Sequence, residues 1–223
     1  YNTMRRLWTV YAAMSVWCNQ RTGGGFEMKD CTNIMIVGVG GQGTLLASRI
    51  LGHLFLENGF DVKISEVHGM SQRGGSVVTY VKYGKKVYSP TVEQGEADLI
   101  LAFEGLEAAR ALPYLSLEGK LITNTQRIDP MPVITGAAVY PQQIMETIRK
   151  QGCNLYAFDA LSLAEQAGSS KTVNVVLIGY LSNFLPFEES QWLDSIANCV
   201  KPQYVEMNQK AFFLGKNAGI PVK

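Results

Sequence analysis

Apolar and polar positions along the chain switch repeatedly between the two-residue period of a strand and the longer period of a helix. Ile34 to Gly38 is apolar without interruption, the pattern of a strand covered on both faces in a parallel sheet. From Thr44 onward Leu45, Leu46, Ile50, Leu51, Leu54 and Phe55 recur at helical spacing, and Asn58-Gly59 supplies a stop. Phe60 to Val67 alternates like a strand, so strand, helix and strand together predict a right-handed crossover unit. Val77 to Tyr83 and Lys86 to Tyr88 read as a β-hairpin around Gly84-Lys85, closed by Ser89-Pro90.

Strands are predicted again at Ala97–Phe103, Lys120–Thr125 and Asn154–Asp159. Helices are predicted between them at Glu104–Leu112, ended by Pro113, at Pro141–Lys150, with Pro141 in the first turn, and at Leu161–Ala167. Beyond Thr172 the pattern is helical only, with one helix to about Leu185, one over Glu188–Val200 and one over Val205–Lys216. The expected fold is α/β: a Rossmann-like, mostly parallel sheet flanked by helices, with a β-hairpin and a helical C-terminal tail.

Residues 1–27 do not share this pattern. Met4 to Trp17 has a basic start and an apolar middle broken by Thr9 and Ser15, and Gly23-Gly24-Gly25 follows as a spacer. Met28 stands just ahead of the first strand. The reading adopted is a non-native or disordered extension over 1–27, before a single α/β domain over 28–223; a membrane anchor is the alternative. No later stretch approaches the ~20 apolar residues of a spanning helix.

Composition narrows the function. With 47% hydrophobic and 17% charged residues there is material for a core, and a net charge of +1 without blocks of like charge gives no footprint for nucleic acid. The cysteines Cys18, Cys31, Cys153 and Cys199 form no CxxC pair, and His53 and His68 are the only histidines, so no intrinsic zinc or iron–sulfur site is expected. Scattered thiols of this kind read as reduced, in a cytoplasmic protein.

Two stretches carry candidate chemistry. The first is Gly38-Val39-Gly40-Gly41-Gln42-Gly43-Thr44, a G-x-G-x-x-G turn that lets backbone amides at a helix N-terminus approach a phosphate. It leaves three readings open: NAD or FAD, another phosphate-bearing ligand, or a tight turn alone. Glu66, ending the second strand, stands near where a ribose-binding acid would be. The second stretch is Ser65-Glu66-Val67-His68-Gly69-Met70-Ser71-Gln72-Arg73-Gly74-Gly75, a polar loop where a compact domain normally places a helix. His68 and Glu66 could serve as acid or base, although a lone loop histidine is more often an interface residue. Arg73 could grip a phosphate or carboxylate through its fork. No nucleophile–base–orienter set, paired carboxylates or metal ligands emerge.

Together the two loops resemble the beta subunits of indolepyruvate ferredoxin oxidoreductases, within the gamma-type subunits and domains of 2-oxoacid:acceptor oxidoreductases. The resemblance runs from Met28 to Gly219 and includes Gly95-Glu96-Ala97-Asp98-Leu99 and Asn208-Gln209-Lys210-Ala211. It implies an oxidoreductase subunit that binds no cofactor alone and is inactive alone. A larger alpha subunit would carry thiamine diphosphate and 4Fe-4S clusters, oxidatively decarboxylate aryl pyruvates to acyl-CoA, and reduce ferredoxin. By the same resemblance Gly38, Gly40, Gly41, Gln42, Gly43, Thr44 and Arg73 would face coenzyme A or the partner's site, and the Ser65–Gly75 loop would enter the subunit interface. The runner-up is a stand-alone Rossmann-type NAD- or FAD-dependent oxidoreductase using Glu66 for the ribose; a third reading is a nucleotide-binding regulatory module.

Overall fold

The apolar run at Ile34 becomes β1 (Cys31–Val39) in the computed structural model, which describes residues 31–67 and 75–219. Ile34 and Ile36 point to one face of the sheet and Met35 and Val37 to the other, and all four are buried, which explains the lack of polar alternation. Helix α1 (Thr44–Glu57) follows, then β2 (Asp61–Val67) and β3 (Ser76–Gly84). Next come β4 (Ala97–Ala102), α2 (Gly105–Ala111), β5 (Leu115–Asn124), the short α3 (Met131–Ile134), α4 (Ile144–Lys150) and β6 (Asn154–Phe158). Helices α5 (Ala160–Ala167), α6 (Val173–Leu181), α7 (Glu189–Cys199) and α8 (Val205–Lys216) complete the described chain.

Among the described residues six strands form one sheet in the order β2-β3-β1-β4-β5-β6. β1, β4, β5 and β6 pair in parallel, while β3 runs antiparallel to both β1 and β2. One face carries α1 and the C-terminal helices around Leu51, Phe55, Ile178, Trp192 and Phe212; the other carries α2 and α4 around Leu106, Ala109, Ile144 and Ile148.

The predicted α/β sheet with its helical tail is present, and three local expectations are changed. Lys86 to Tyr88 is not a strand. Gly84 already pairs with Cys31 on one side and Asp61 on the other, so β3 has no edge left to receive it. Val87 is instead held by burial and by its N–H donating to Asp61 Oδ2 at 2.9 Å. The crossover through α1 also skips a place, because β3 lies between β1 and β2. Finally, α4 starts at Ile144 rather than at Pro141, since Gln143 sits at φ 58, outside helical geometry.

The tail packs through two glycines. A Cβ on Gly179 of α6 would lie 2.0 Å from the Phe212 carbonyl oxygen, and one on Gly215 of α8 would lie 1.9 Å from that of Val176. The two helix backbones therefore touch, and only glycine fits at either position.

Candidate functional site

β1, β4, β5 and β6 run in parallel and end on one side of the sheet; β2, antiparallel to β3 as β1 is, ends there too. The loops after these strands are where an α/β sheet receives ligands. The glycine turn follows β1 and Gly75 leads into β3, and the two meet directly: Gly40 N–H donates to the Gly75 carbonyl at 2.9 Å. The Gly40 end of the turn and the Gly75 end of the polar loop thus form one surface. Ser65 and Glu66 lie on β2, opposite Tyr80 and Thr79. His68, Gly69, Met70, Ser71, Gln72, Arg73 and Gly74 fall outside the described residues.

The turn is locked from inside. Gly38 remains in β1, paired with Val77, so the bend spans Gly40 to Gly43. Gly43 caps α1 at φ 84 and ψ 25, a conformation costly for any residue with a Cβ. The Gln42 side chain folds back: its Oε1 accepts from Val39 N–H at 2.7 Å and its Nε2 donates to the Phe103 carbonyl at 3.2 Å, tying β1 to the end of β4. Asn174 reaches across from α6 and donates to the Gly43 carbonyl at 3.2 Å. Thr44 is buried, its methyl 3.3 Å from where a Cβ on Gly38 would lie.

From outside the turn is open. Gly41 is exposed, and a Cβ added there would meet nothing within 4 Å. Among the described residues helix α1 has no side-chain cap and no acidic residue in its first turn, so none of them caps its first amides or offsets the positive end of its dipole there. These features fit a phosphate or another anion.

Glu66 lies to one side. Its Oε1 accepts from Ser48 Oγ at 2.8 Å, against the second turn of α1. Thr79 of β3 stands between Glu66 and Ile36 of β1 in the sheet register. At about 4.8 Å per strand spacing, Glu66 is therefore roughly 9–10 Å from the β1 axis. In a dinucleotide fold the ribose-binding acid ends the strand beside the first one. The inserted β3 removes that adjacency.

The C-terminal sheet end also holds a buried polar cluster that sequence reasoning passed over. Glu104, between β4 and α2, is 1% exposed. Its Oε2 accepts from the N–H groups of Leu106 at 2.7 Å and Glu107 at 3.1 Å. Its Oε1 accepts from Ile128 N–H at 3.3 Å and from the Tyr140 hydroxyl. Burial pushes the Glu104 carboxyl up, against the pull of these donors, and burial beside that carboxyl pushes the Tyr140 phenol up as well. Arg127 stacks 4.3 Å over the Tyr140 ring and pairs with Asp129 through two hydrogen bonds. Glu107, also buried, accepts from Ser76 Oγ at 2.5 Å and pairs with Arg110. With four donors already on it, Glu104 ties the excursion between β5 and α4 to the cap of α2. The available signal was a glutamate placed directly between a strand and a helix, where a carboxylate can cap.

That excursion carries Met131, Ile134 and Val139, at 64%, 65% and 75% exposure, in a stretch without charge from Met131 to Val139. Leu45 and Val67 are exposed at the same end of the sheet. His53 lies in α1, with Nδ1 3.2 Å from Ser195 Oγ of α7, remote from the turn. Among the described residues no group of three or more His, Cys, Asp or Glu side chains is placed to hold a metal ion. Nor is any described helix long and apolar enough to cross a membrane.

The sequence profile of the pyruvate ferredoxin/flavodoxin oxidoreductase family matches residues 33–218. The indolepyruvate oxidoreductase subunit IorB of Thermococcus kodakarensis is 44% identical over 191 residues, covering 83% of this chain and 95% of that subunit. The fold is similar to that of pyruvate oxidoreductase subunit PORC from Thermotoga maritima, at a TM-score of 0.64 and 22% identity, with 84% of this chain and 96% of that one covered. It is also similar to part of the 2-oxoglutarate:ferredoxin oxidoreductase of Magnetococcus marinus, solved with 2-oxoglutarate, coenzyme A and succinyl-CoA bound. There the TM-score is 0.66 at 18% identity, and 85% of this chain covers 31% of that one.

Proposed function

The chain belongs to the pyruvate ferredoxin/flavodoxin oxidoreductase family, and from that premise we propose that it is the smaller subunit of an enzyme acting on indolepyruvate and related aryl pyruvates. It is a subunit of a ferredoxin-dependent 2-oxoacid oxidoreductase and works with a partner subunit. The 44% identity to an indolepyruvate oxidoreductase subunit, over 95% of that subunit, carries the aryl-pyruvate reading.

In the proposed division of labour the alpha subunit holds thiamine diphosphate and the 4Fe-4S clusters, and ferredoxin takes the electrons. Thiamine diphosphate supplies the decarboxylation chemistry when bound there. This chain supplies surface, orientation and exclusion of water. Its glycine turn faces coenzyme A, with the amides of Gly41, Gly43 and Thr44 toward phosphate oxygens. The open outer side of Gly41 and the uncapped start of α1 support this placement. Gln42 shapes the turn from within, and the loop from Ser65 to Gly75, Arg73 included, meets the partner. The subunit is inactive alone and its complex acts in the cytoplasm, without nucleic acid or membrane. A net charge of +1 agrees with the absence of a nucleic-acid role.

The test is reconstitution with the alpha subunit. Coenzyme A-dependent reduction of ferredoxin by indolepyruvate is expected only when both chains are present and co-elute. Full turnover by the alpha subunit alone would sink the proposal. A stand-alone NAD- or FAD-dependent oxidoreductase is not favoured: the family match points elsewhere, and β3 separates Glu66 from β1.

A further inference from the structure

We infer that Asn174, on the C-terminal helical layer, is a positioning residue for the glycine turn. The inference rests on the reading that the turn faces the phosphates of coenzyme A. Asn174 is 2% exposed near the start of α6, where Val173, Val175, Val176 and Leu177 are all buried and apolar. A buried amide there is unfavourable unless both ends are satisfied. One end is local, with Oδ1 accepting from Val175 N–H at 2.9 Å. The other spans 131 residues of sequence, with Nδ2 donating to the Gly43 carbonyl at 3.2 Å.

That carbonyl also accepts from Leu46 N–H at 3.1 Å and Ala47 N–H at 3.3 Å. Because a trans peptide is planar, its C=O and the next N–H point in opposite directions. Three donors on the Gly43 oxygen therefore aim the Thr44 N–H away from the helix body, toward the open side of the turn. The fit is mutual: a Cβ on Gly43 would lie 2.7 Å from Asn174 Nδ2, so this close approach needs glycine. Gln42 anchors the other end through Val39 and Phe103. The turn is thus held at both ends from below with Gly41 exposed above, the arrangement of a preorganised anion contact.

The experiment uses the reconstituted two-subunit complex, with desulfo-coenzyme A as the binding probe. Asn174→Leu keeps the volume and removes the donor to Gly43 without placing a charge beside the turn. It is expected to raise the dissociation constant of the probe, and KM for coenzyme A, roughly three- to tenfold, the worth of one hydrogen bond, with kcat held. An unchanged dissociation constant, where Gly41→Val raises it, overturns the role of Asn174 and leaves the coenzyme A reading standing. If neither variant moves it, that reading falls too. Hydrogen exchange in the unmutated complex decides the matter even if Asn174→Leu fails to assemble. Saturating probe is expected to slow exchange in residues 40–46 and also in 173–177; slowing confined to 40–46 refutes the coupling.

Discussion

Replacing Gly215 with alanine tests the way the helical tail is attached. The new Cβ would start 1.9 Å from the Val176 carbonyl oxygen, 2.6 Å from its carbon and 2.9 Å from its Cα. All three are backbone atoms of α6, so no rotamer change relieves the clash. Helix α8 would have to retreat by about 1.5 Å to reach ordinary contact, and a gap of that size forfeits a large share of the dispersion along the crossing. Phe212 and Ala211, both fully buried, lie on that crossing. Overpacking alone costs about 1–3 kcal/mol, and alanine returns about 1 kcal/mol of helix propensity. With the lost packing the net is a destabilisation of about 2–4 kcal/mol, or roughly 6–12 °C in Tm for a chain of this size. Gly52→Ala in α1 is the matched control, because its Cβ would meet only Ile64 Cδ1, at 2.7 Å. That methyl ends a flexible side chain that is 39% exposed, so it can turn aside. Thermal and urea melts of both variants are expected to show Gly52→Ala near neutral and Gly215→Ala strongly destabilised. Equal stability of the two would refute the backbone contact between α6 and α8.

The pH dependence of the Glu104 cluster has a definite sign. The folded carboxyl titrates above its ordinary value of 4.5, so the folded chain keeps the proton longer than the unfolded one. The stability this group contributes is then complete below the ordinary value and is lost as pH rises through the folded pKa. In melts between about pH 4 and 8 the advantage of the unmutated chain over Glu104→Gln is expected to shrink with rising pH; an advantage that grew would reverse the assignment. Tyr140→Phe removes one donor from Glu104 and is expected to cost about 1–2 kcal/mol in a urea titration. Gln42→Leu leaves the Val39 N–H without its 2.7 Å acceptor and should cost about 1–3 kcal/mol by the same measurement. Titration of the isolated chain with NADH or FAD is expected to show no saturable binding, and micromolar affinity would contradict the argument from β3.

Period and punctuation carried the element order well. The uninterrupted run at Ile34, the Asn58-Gly59 stop and the helical spacing of Val205–Lys216 each appear in the fold nearly where the pattern places them. What the pattern could not carry was sheet order. Val77 to Tyr83 reads the same whether its partner is the next strand or an earlier one, because alternation reports burial and not pairing. The glycine turn was legible through its spacing, yet its two anchors were not. Asn174 lies 131 residues from Gly43 in the chain, and Gln42 looked like a side chain available to a ligand. The crossing at Gly179 and Gly215 is likewise silent in one dimension, since each glycine interrupts its own helix and only the third dimension pairs them.

The insertion of β3 between β2 and β1 favours one order of assembly. β2 and β3 are joined by a short connection and can zip locally within microseconds. β1, earlier in sequence, must wait for its neighbours: Cys31 pairs with Gly84, and Ile34 with Leu99. A finished β2–β3 ribbon can dock on β1 as a unit, with α1 folding back over the seam. Were β2 to reach β1 first, β3 would find the inner place taken. The shortness of the link from β2 to β3 thus favours their pairing before the distant contacts of β1 form, biasing the sheet toward one strand order.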